Sequence, residues 1–480
     1  MSRSAPERLD TEVLVIGSGA GGATTAMVLA EAGRSVLVVE EGPEVEPGSL
    51  VPFSLQEMDQ AYRHHGSSAA LGSPPIAYAE GRCVGGSTEV NSGLWHRLPA
   101  PLAEEWRVRF GLDEFTPSTL DRYAARIEEL VPVHPLPGAP PRSSAVIEEG
   151  ASKLGWRSVE FPRAFAYDSQ GRGTKQSMSR TLLPRARAAG ASVVADTAVR
   201  KLRIEGGRVV SAVCRRRRPD GTLADVEIRA DHVVVCGGAV QSPALLQRSG
   251  VRREIGSGLK MHPTIKIAAR FAGPVDHDDV PMHRITEFSP HLAIGGSASR
   301  RGHVALALAD SGADISGALA DWENVFVYYA AIRSDLGGRV VAVPGMRSPL
   351  VTYRLTDSDL SRLARGLVHL GEALLAAGAI ELYPSIEGGS VVRRPEELVG
   401  WWDAVDRAHT NLMTVHLTSS IRMSSDRTKA GTDGFGKVWD VANLHVNDAS
   451  LLADAPGVNP QAAIMTIALR NAEHLLTTLT

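Results

Sequence analysis

The chain of 480 residues contains only three cysteines, Cys83, Cys214 and Cys236, which lie far apart and without a C-x-x-C spacing. This scarcity argues against a zinc site, an iron–sulfur cluster and a disulfide framework, and it is typical of a reducing compartment. No uncharged apolar run reaches the roughly 18 residues that span a membrane. The polar N-terminus MSRSAPERLDTE lacks the apolar core of a signal peptide. We therefore expect a cytoplasmic protein without a membrane segment and without a metal site.

Neither sign of charge dominates. The 51 Lys and Arg against 54 Asp and Glu leave a formal net charge of −3, so no electrostatic argument favours nucleic acid or an anionic membrane as a partner. The one dense basic run, Arg215–Arg218, precedes the turn sequence Pro-Asp-Gly and is interpreted as a solvated hairpin. The length suggests about two to three domains.

The chain opens with TEVLVIGSGAGGATTAMVLAEAG, the pattern of a buried strand, a glycine-rich turn and a small-residue helix. Gly17 permits the tight turn, Gly19 lets a pyrophosphate approach the backbone, and Gly22 allows close helix–strand packing. The helix N-terminus offers unpaired N–H groups and a partial positive charge to phosphates. A second strand, SVLVVE, ends in Glu40, where a carboxylate can accept hydrogen bonds from a ribose. The sequence predicts a dinucleotide-binding βαβ unit.

Two later stretches have the same character. The stretch beginning ASVVADTAVRKLRIEGG alternates apolar and polar residues between glycine-containing turns, which predicts an antiparallel meander followed by a buried strand over 232–236. The C-terminal NPQAAIMTIALRNAEHLL has its apolar residues at helical spacing. We predict a discontinuous nucleotide-binding domain with a cap domain inserted between its pieces. The predicted pieces are residues 8–100, 185–265 and 430–480 for the nucleotide-binding domain, and 101–184 and 266–429 for the cap.

Two segments could face a ligand, and each has an ordinary structural alternative. In EGRCVGGSTEVNSGLWHR, the double glycine that ends at Gly86 suits close approach of a flat or anionic ligand, or only a turn before a buried strand. Asn459 and Pro460 begin the C-terminal helix, where asparagine is a favoured N-cap and proline a favoured first-turn residue. Alternatively, this helix N-terminus faces a ligand and stabilises negative charge there.

His416 is the foremost candidate for acid–base chemistry. It lies in NLMTVHLTSSIRMS, where Met413, Val415 and Leu417 alternate with polar residues, so a strand would aim His416 away from the apolar face. A solvated or hydrogen-bonded histidine without a catalytic role is the alternative. His262 in KMHPT is the one rival among the other histidines.

Taken together and in this order, these pieces resemble the glucose–methanol–choline (GMC) family of FAD-dependent oxidoreductases. GSGAGG with Glu40 matches the family's FAD fingerprint, and GRCVGGSTEVN is similar to its first signature. GGAVQSPALLQRSGV is close to the second signature, with Arg252 in place of a glycine. DASLLADAPGVNPQAAIMTIALRNA resembles the closing flavin-binding segment. The catalytic-histidine stretch keeps only His416, Arg422 and Met423 of the family pattern H-P-x-G-T-C-R-M-G.

The resemblance implies an α/β flavoprotein with a Rossmann-like FAD domain and a substrate-binding cap that contains an antiparallel sheet. It implies that His416 is the catalytic base and Asn459 its partner. Some members bind flavin covalently through a histidine just before the signature asparagine; Val90 stands there, so we expect non-covalent FAD. The implied FAD contacts are Gly17, Gly19, Gly22, Glu40, Arg82, Gly86, Ser87, Asn91, Val199 (backbone, at adenine), Asp448 and Ala449 (ribityl or pyrophosphate), Asn459, Pro460 and Gln461 (pyrimidine end of the ring).

The expected substrate rests on weaker similarities, between short segments of this chain and particular groups of GMC enzymes. GRGTKQSMSRTLLPRA is similar to a stretch of long-chain alcohol oxidases, whereas HLTSSIRMS with DASLLADAPGVNPQ is closer to GMC dehydrogenases of aminoglycoside biosynthesis. We therefore expect oxidation of a sugar-like alcohol, such as an aminoglycoside hydroxymethyl group, to an aldehyde or ketone, with a long-chain or other small alcohol as the alternative. A polycationic substrate requires carboxylates in the pocket, for which Asp403, Asp406 and Glu323 are candidates.

Three other functions stay open at this point: a GMC-like flavoprotein lyase without net redox, an NAD(P)-dependent dehydrogenase, and a non-catalytic flavin-binding subunit. The sequence also leaves open whether dioxygen or another acceptor takes the electrons.

Overall fold

The computed structural model describes residues 6–277, 280–311 and 314–479. Its strands, in chain order, are β1 (Glu7–Ile16), β2 (Val36–Val39), β3 (Ser68–Ala70), β4 (Ile76–Tyr78), β5 (Ser158–Glu160), β6 (Phe165–Tyr167), β7 (Gly173–Lys175), β8 (Ser192–Val194), β9 (Thr197–Glu205), β10 (Arg208–Arg217), β11 (Leu223–Val235), β12 (Ser257–Met261), β13 (Thr264–Arg270), β14 (His283–Ile285), β15 (Leu292–Gly296), β16 (Val325–Ile332), β17 (Gly338–Val341), β18 (Leu350–Tyr353), β19 (Glu381–Pro384), β20 (Leu412–Thr414), β21 (Leu417–Thr418) and β22 (Leu444–Val446).

The α-helices are α1 (Ala20–Glu31), α2 (Leu55–Ala61), α3 (Ser87–Val90), α4 (Ala100–Phe110), α5 (Pro117–Leu130), α6 (Arg142–Lys153), α7 (Leu182–Ala188), α8 (Gly238–Arg248), α9 (Arg301–Ala309), α10 (Ser316–Ala320), α11 (Asp357–Ala376), α12 (Trp401–Ala404) and α13 (Gln461–Thr478). Within the described ranges, no helix is both long enough and apolar enough to span a membrane.

The predicted βαβ unit is present as β1, α1 and β2, and it lies in a seven-stranded sheet. The strand order is β8-β2-β1-β11-β10-β9, and β22 also pairs with β11. β8, β2, β1, β11 and β22 are mutually parallel, whereas β9 and β10 form the antiparallel meander. Because the parallel strands end at one edge of the sheet, the loops after β1, β2, β11 and β22 meet there, where α/β sheets bind ligands.

One detail of the meander differs from the sequence prediction. The buried strand predicted over 232–236 is not separate, because it is the second half of the 13-residue β11. β11 pairs with β10 through its first half and with β22 through its last residues, and it pairs with β1 along most of its length. A single strand can therefore belong to the meander and to the parallel sheet at once.

The glycine-rich turn packs backbone against backbone. Gly17 has φ +102°, which a residue with a side chain rarely adopts. A Cβ on Gly22 would lie 2.0 Å from the Gly17 carbonyl oxygen, and one on Gly21 would lie 1.9 Å from the Asn447 carbonyl oxygen. The helix α1 can therefore sit directly on the ends of β1 and β22 only because these positions lack side chains.

A nine-stranded sheet forms the other half of the molecule. Its order is β3-β4-β20-β13-β16-β15-β14-β5, and β19 also pairs with β13. Most neighbours are antiparallel, as predicted for the cap, and the long helix α11 packs its apolar face on this sheet. α11 starts with a capping box in which Thr356 and Asp359 exchange side-chain and backbone hydrogen bonds. A smaller sheet, β18-β17-β12-β21, lies beside it.

Sheet membership differs from the predicted domain boundary at residue 101 in two places. β3 and β4, from the piece predicted to bind the nucleotide, are strands of the nine-stranded sheet. Conversely, α4 and α5 follow residue 99, but Trp106 and Phe110 belong to the same hydrophobic cluster as Leu14 and Val235 of the nucleotide-binding sheet. The domain division itself stays a prediction.

The glycine packing predicts the effect of one methyl group. Gly22→Ala should lower the free energy of unfolding by about 1–3 kcal/mol, because the added Cβ overpacks the α1–β1 contact. Gly302→Ala is the matched control, since a Cβ there meets nothing within 4 Å. Thermal unfolding of the purified proteins measures the change in stability, and FAD absorbance measures whether the glycine-rich turn still binds the cofactor. Equal melting temperatures and flavin contents for the two variants would contradict this account.

Candidate active site

Glu40 lies at the end of β2, beside the glycine-rich turn. Its carboxylate accepts hydrogen bonds from the Ser18 N–H (3.1 Å), the Ser18 hydroxyl (2.8 Å) and the Gly42 N–H (3.0 Å). Burial raises the pKa of Glu40, and these three donors act in the opposite direction. The Thr197 N–H donates to the Glu40 carbonyl (2.7 Å), so β9, which carries Val199, starts beside this carboxylate. The residues predicted at the adenosine end are therefore neighbours.

The GRCVGGST segment packs directly on the same turn. The Gly85 N–H donates to the Ser18 hydroxyl (3.0 Å). Gly86 has φ +58°, and a Cβ there would lie 2.9 Å from the Gly19 Cα. Ser87 accepts a hydrogen bond from a backbone N–H at residue 81 (2.9 Å). Arg82 lies nearby, and its guanidinium donates to the carbonyl of residue 41 (3.2 Å).

The first signature also contacts the C-terminal helix. The Asn91 side-chain amide donates to the Gln461 side chain (2.6 Å), and its carbonyl oxygen accepts from the Gly93 N–H (3.0 Å). α13 begins at Gln461, Pro460 is its N-cap residue, and no side chain caps it. Asn459 therefore does not serve as the N-cap that was the structural alternative, and the helix N-terminus is left for another partner.

Asp448 follows β22 and is buried. Its carboxylate accepts from the Gly238 N–H (2.8 Å), the Ser450 N–H (2.8 Å), and the hydroxyls of Ser242 and Ser450. Burial raises the pKa of Asp448, against these four donors. The carbonyl of Ala449 accepts from the backbone of residue 419, which lies three residues after His416.

These residues fit FAD. The turn has room for a ligand at Gly19, because a Cβ there meets only the Gly86 Cα, at 3.9 Å. α1 starts after Gly19 without a side-chain cap, so its first N–H groups are available to phosphate oxygens. The Glu40 carboxylate stands where a ribose is bound in this class of fold. Together with the parallel sheet, these features define a dinucleotide site that can hold FAD.

His416 lies between β20 and β21, at the end of the cap sheet. Strand pairing explains its nearest neighbour: Lys260 pairs with Thr418 and Met261 with Leu417, so the next positions are His262 and His416. The two Nδ1 atoms are 2.9 Å apart. The rival histidine of the sequence analysis is therefore part of the same site.

The predicted sense of the alternation around His416 is wrong. Val415 is 58% exposed, whereas Thr414 and Thr418 are buried. The two-residue period continues, but the threonines lie on its buried face, where the His416 N–H donates to the Thr414 hydroxyl (3.2 Å) and the Ser419 hydroxyl donates to the Thr418 hydroxyl (3.0 Å).

Hydrogen bonding assigns the protons of the histidine pair. The Gly457 N–H donates to His262 Nε2 (3.1 Å), so His262 carries its proton on Nδ1 when neutral. This proton is donated to His416 Nδ1, and neutral His416 then carries its own proton on Nε2. Burial, together with the Arg284 guanidinium, lowers the pKa of His416 to about 3. Burial also lowers the pKa of His262 well below its ordinary value. Both rings are neutral near pH 7.

These residues line one cavity. His416 and Asn459, distant in sequence, line the same cavity. None of the lining residues is acidic. They are His262, Arg284, Pro290, Ala293, Tyr329, Ala331, Ile332, Arg333, His416, Gly457, Val458 and Asn459.

Several placements could not be read from the sequence. Arg284 was not a candidate, and no motif surrounds it. The carboxylates proposed for a polycationic substrate lie elsewhere: Asp406 is half-buried and bonds to His409, Asp403 is an exposed residue of α12, and Glu323 is exposed in a short turn before β16. None of the three lines the cavity.

Comparison with known proteins agrees with this geometry. The family model described as GMC oxidoreductase matches residues 58–264 in its N-terminal part and 344–468 in its C-terminal part, and an FAD binding domain model matches residues 12–50. An uncharacterized GMC-type oxidoreductase of Sinorhizobium fredii is 39% identical over 98% of this chain and 95% of its own length. The chain therefore belongs to the GMC oxidoreductase family and is an FAD-dependent oxidoreductase.

More distant relatives include a long-chain-alcohol oxidase of Arabidopsis thaliana, 24% identical over 96% of this chain and 66% of its own length. Among solved structures, pyridoxine 4-oxidase from Mesorbium loti superposes with a TM-score of 0.75 at 19% identity, covering 97% of this chain and 99% of the other. A formate oxidase variant of Aspergillus oryzae gives 0.72 at 15% identity, covering 99% and 100%. These two structures establish the GMC flavoprotein fold.

The neutral state of His416 predicts a pH dependence of stability. The unfolded chain protonates this ring as the pH falls below about 6.5, but the folded protein does so only near pH 3. Stability is therefore lost as the pH falls between these values. His416→Gln should reduce the slope of unfolding free energy in that window by up to about 1.4 kcal/mol per pH unit. Urea unfolding between pH 4.5 and 7 measures it, and identical slopes would contradict the prediction.

Proposed function

We propose that the protein oxidises an alcohol carbon to an aldehyde or ketone, with non-covalent FAD as hydride acceptor, His416 as the base and Asn459 as the group that orients the hydroxyl. The observation that carries this proposal is the single cavity lined by both side chains, together with His262. In the family resemblance, a His–Asn pair at this position is the catalytic pair.

The chemistry separates into a proton and a hydride. FAD supplies the acceptor for the hydride that leaves the alcohol carbon. A neutral imidazole is needed to take the hydroxyl proton, and the lowered pKa of His416 keeps it neutral. Asn459 can hydrogen-bond the hydroxyl without changing charge. The uncapped N-terminus of α13 offers a partial positive charge to negative charge that develops near it.

His262 controls the proton position on His416. For His416 to accept a proton at Nε2, the hydrogen shared by the two Nδ1 atoms must belong to His416. His262 then carries its proton on Nε2, which faces the Gly457 N–H. The His416 tautomer that has a free Nε2 therefore forms only when the hydrogen bond from the Gly457 N–H to His262 Nε2 is lost. We assign His262 as a positioning residue, because its tautomer determines that of His416.

The class of alcohol is supported less directly. The relatives named above include enzymes named for long-chain alcohols and pyridoxine, and a further relative is an oxygen-dependent choline dehydrogenase. The aminoglycoside alcohol expected from sequence stays an untested hypothesis, and the cavity weighs against it. A polycation would meet Arg284 and Arg333 there and no carboxylate.

A lyase that uses the same histidine without net redox is the second candidate, since the acid–base pair alone would serve it. Anaerobic mixing with substrate separates the two functions, because only an oxidoreductase bleaches the flavin. Dioxygen or another acceptor can then reoxidise the flavin in the proposed reaction.

His416→Ala should slow anaerobic flavin reduction by about 10²–10⁴-fold, since the side chain that takes the hydroxyl proton is removed. Val415→Ala is the matched control, because this neighbouring side chain is exposed. Stopped-flow absorbance with an alcohol that reduces the parent enzyme measures the rate. Near-normal reduction in His416→Ala would show that the base is another residue.

The cofactor should be released on denaturation. Val90 stands where a covalent histidine would be required, and it cannot form a bond to the flavin ring. Acid precipitation of the holoenzyme should therefore leave all yellow colour in the supernatant, with the absorbance of free FAD. A yellow pellet after repeated washing would contradict non-covalent binding.

A further inference from the structure

Arg284 is a buried cation at the active site, with 5% of its surface exposed. Its Nη1 lies 3.3 Å from His96 Nε2 and 3.5 Å from Asn459 Oδ1. Its Nε is buried and has no hydrogen-bond partner. In the described part of the chain, Nη2 has no hydrogen bond and no carboxylate forms an ion pair with this guanidinium, whose Cζ lies 5.7 Å from the centre of the neutral Phe161 ring. Buried charges are normally paired, so this arrangement calls for a partner.

Arg333, the second arginine of the cavity, differs from Arg284 in having carboxylate partners. Arg333 donates twice to Glu105, at 3.0 and 2.8 Å, and lies 3.5 Å from Asp454. Its charge is therefore compensated within the protein. The groups around Arg284 cannot do the same, because burial holds the pKa of His96 and of His416 below the ordinary value and leaves both rings neutral.

Tyr329 adds a neutral donor beside Arg284. Strand register aligns the two: Arg284 of β14 pairs with Gly295 of β15, which pairs with Tyr329 of β16. A Cβ on Gly295 would lie 3.1 Å from the Tyr329 hydroxyl oxygen and 3.2 Å from Arg284 Cγ. The missing side chain at Gly295 thus lets a phenol and a guanidinium converge on the cavity, and the Tyr329 hydroxyl has no hydrogen bond to any described residue.

We propose that the substrate is a short hydroxy acid, whose carboxylate binds Arg284 and Tyr329 while its hydroxyl lies at His416 and Asn459. This proposal rests on the proposed alcohol oxidation at the same cavity. A guanidinium offers a carboxylate two parallel hydrogen bonds, and a phenol adds a third. Because Arg284 Nη1 reaches to 3.5 Å from Asn459 Oδ1, the carboxylate and the reacting carbon are separated by few bonds.

The reaction is balanced without the carboxylate changing. The C–H bond of the carbinol breaks and its electron pair passes as hydride to FAD. The O–H proton passes to His416, and the carbon–oxygen double bond forms. The hydroxy acid becomes an oxo acid, and two electrons are held on FAD in this half-reaction.

The experiment compares matched alcohols on the holoenzyme under anaerobic conditions. The pairs are lactate with propane-1,2-diol, and mandelate with 1-phenylethane-1,2-diol. Stopped-flow measurement of flavin bleaching gives, for each alcohol, the ratio of the rate constant of flavin reduction to the dissociation constant of the substrate. Titration of flavin absorbance with benzoate and acetate, which carry no alcohol, gives the affinity for a carboxylate alone.

We expect the parent enzyme to prefer at least one acid over its uncharged partner by about 10-fold or more. Arg284→Gln should lower that preference and the benzoate affinity by about 10²-fold, as for loss of one partner of a buried charge pair. Arg284→Lys should restore part of both, and Tyr329→Phe should cost about 10-fold. Arg333→Gln is the matched control, with a smaller loss, because Glu105 already compensates that charge.

Three results would overturn the inference: no preference for either acid, equal slowing of acids and neutral alcohols in Arg284→Gln, or an equal loss in Arg333→Gln. Equal slowing would instead assign Arg284 to the shared redox step. Bleaching by neutral alcohols alone would leave the proposed function standing without this substrate class, whereas no bleaching by any alcohol would end both. If Arg284→Gln does not fold, the parent titrations and Tyr329→Phe decide.

Discussion

The carboxylate of Asp448 is the interaction on which both halves of the site depend. It is buried and accepts four hydrogen bonds, which join the end of β22 to the start of α8 through Gly238 and Ser242, and to the short helical turn that begins at Ala449. The carbonyls of this turn accept the N–H groups of residues 419, 421 and 423. The strand ends that face the cofactor and the segment that carries His416 are thereby fixed to one buried carboxyl group.

A second constraint is the absence of side chains where backbones meet. Gly21 and Gly22 let α1 rest on the ends of β22 and β1, and Gly86 lets the first signature rest on Gly19. At the substrate cavity, Gly295 lets the side chains of Arg284 and Tyr329 lie close together. Glycines in the cofactor cleft thus let backbone N–H groups come close to the ligand. In the substrate cavity, the glycine at Gly295 instead leaves room for the side chains of Arg284 and Tyr329.

The parts of the fold and of the site that could be predicted from sequence are those that depend on residues close to one another in the chain. The turn at Gly17, the acid at Glu40 and the helix after Pro460 each depend on neighbours within one βαβ unit or one turn, so their spacing is visible in the chain. The pairing of His416 with Asn459 came from family resemblance rather than from spacing. His262 and Arg284 were not predictable as partners of this pair, because their positions follow from strand register. The two histidines are 154 residues apart and become neighbours only through the β12–β21 pairing.

The order in which the chain builds its nucleotide-binding sheet has a consequence for folding. β1 begins at Glu7, but β22 joins the same sheet only at Leu444, and α13, which packs on α1 and holds Asn91 through Gln461, is the last described element. Until these distant segments have paired, the N-terminal glycine-rich segment lacks two of the walls that enclose a dinucleotide. Tight binding of flavin therefore has to follow this long-range pairing, which makes folding slow compared with that of a protein whose contacts are local.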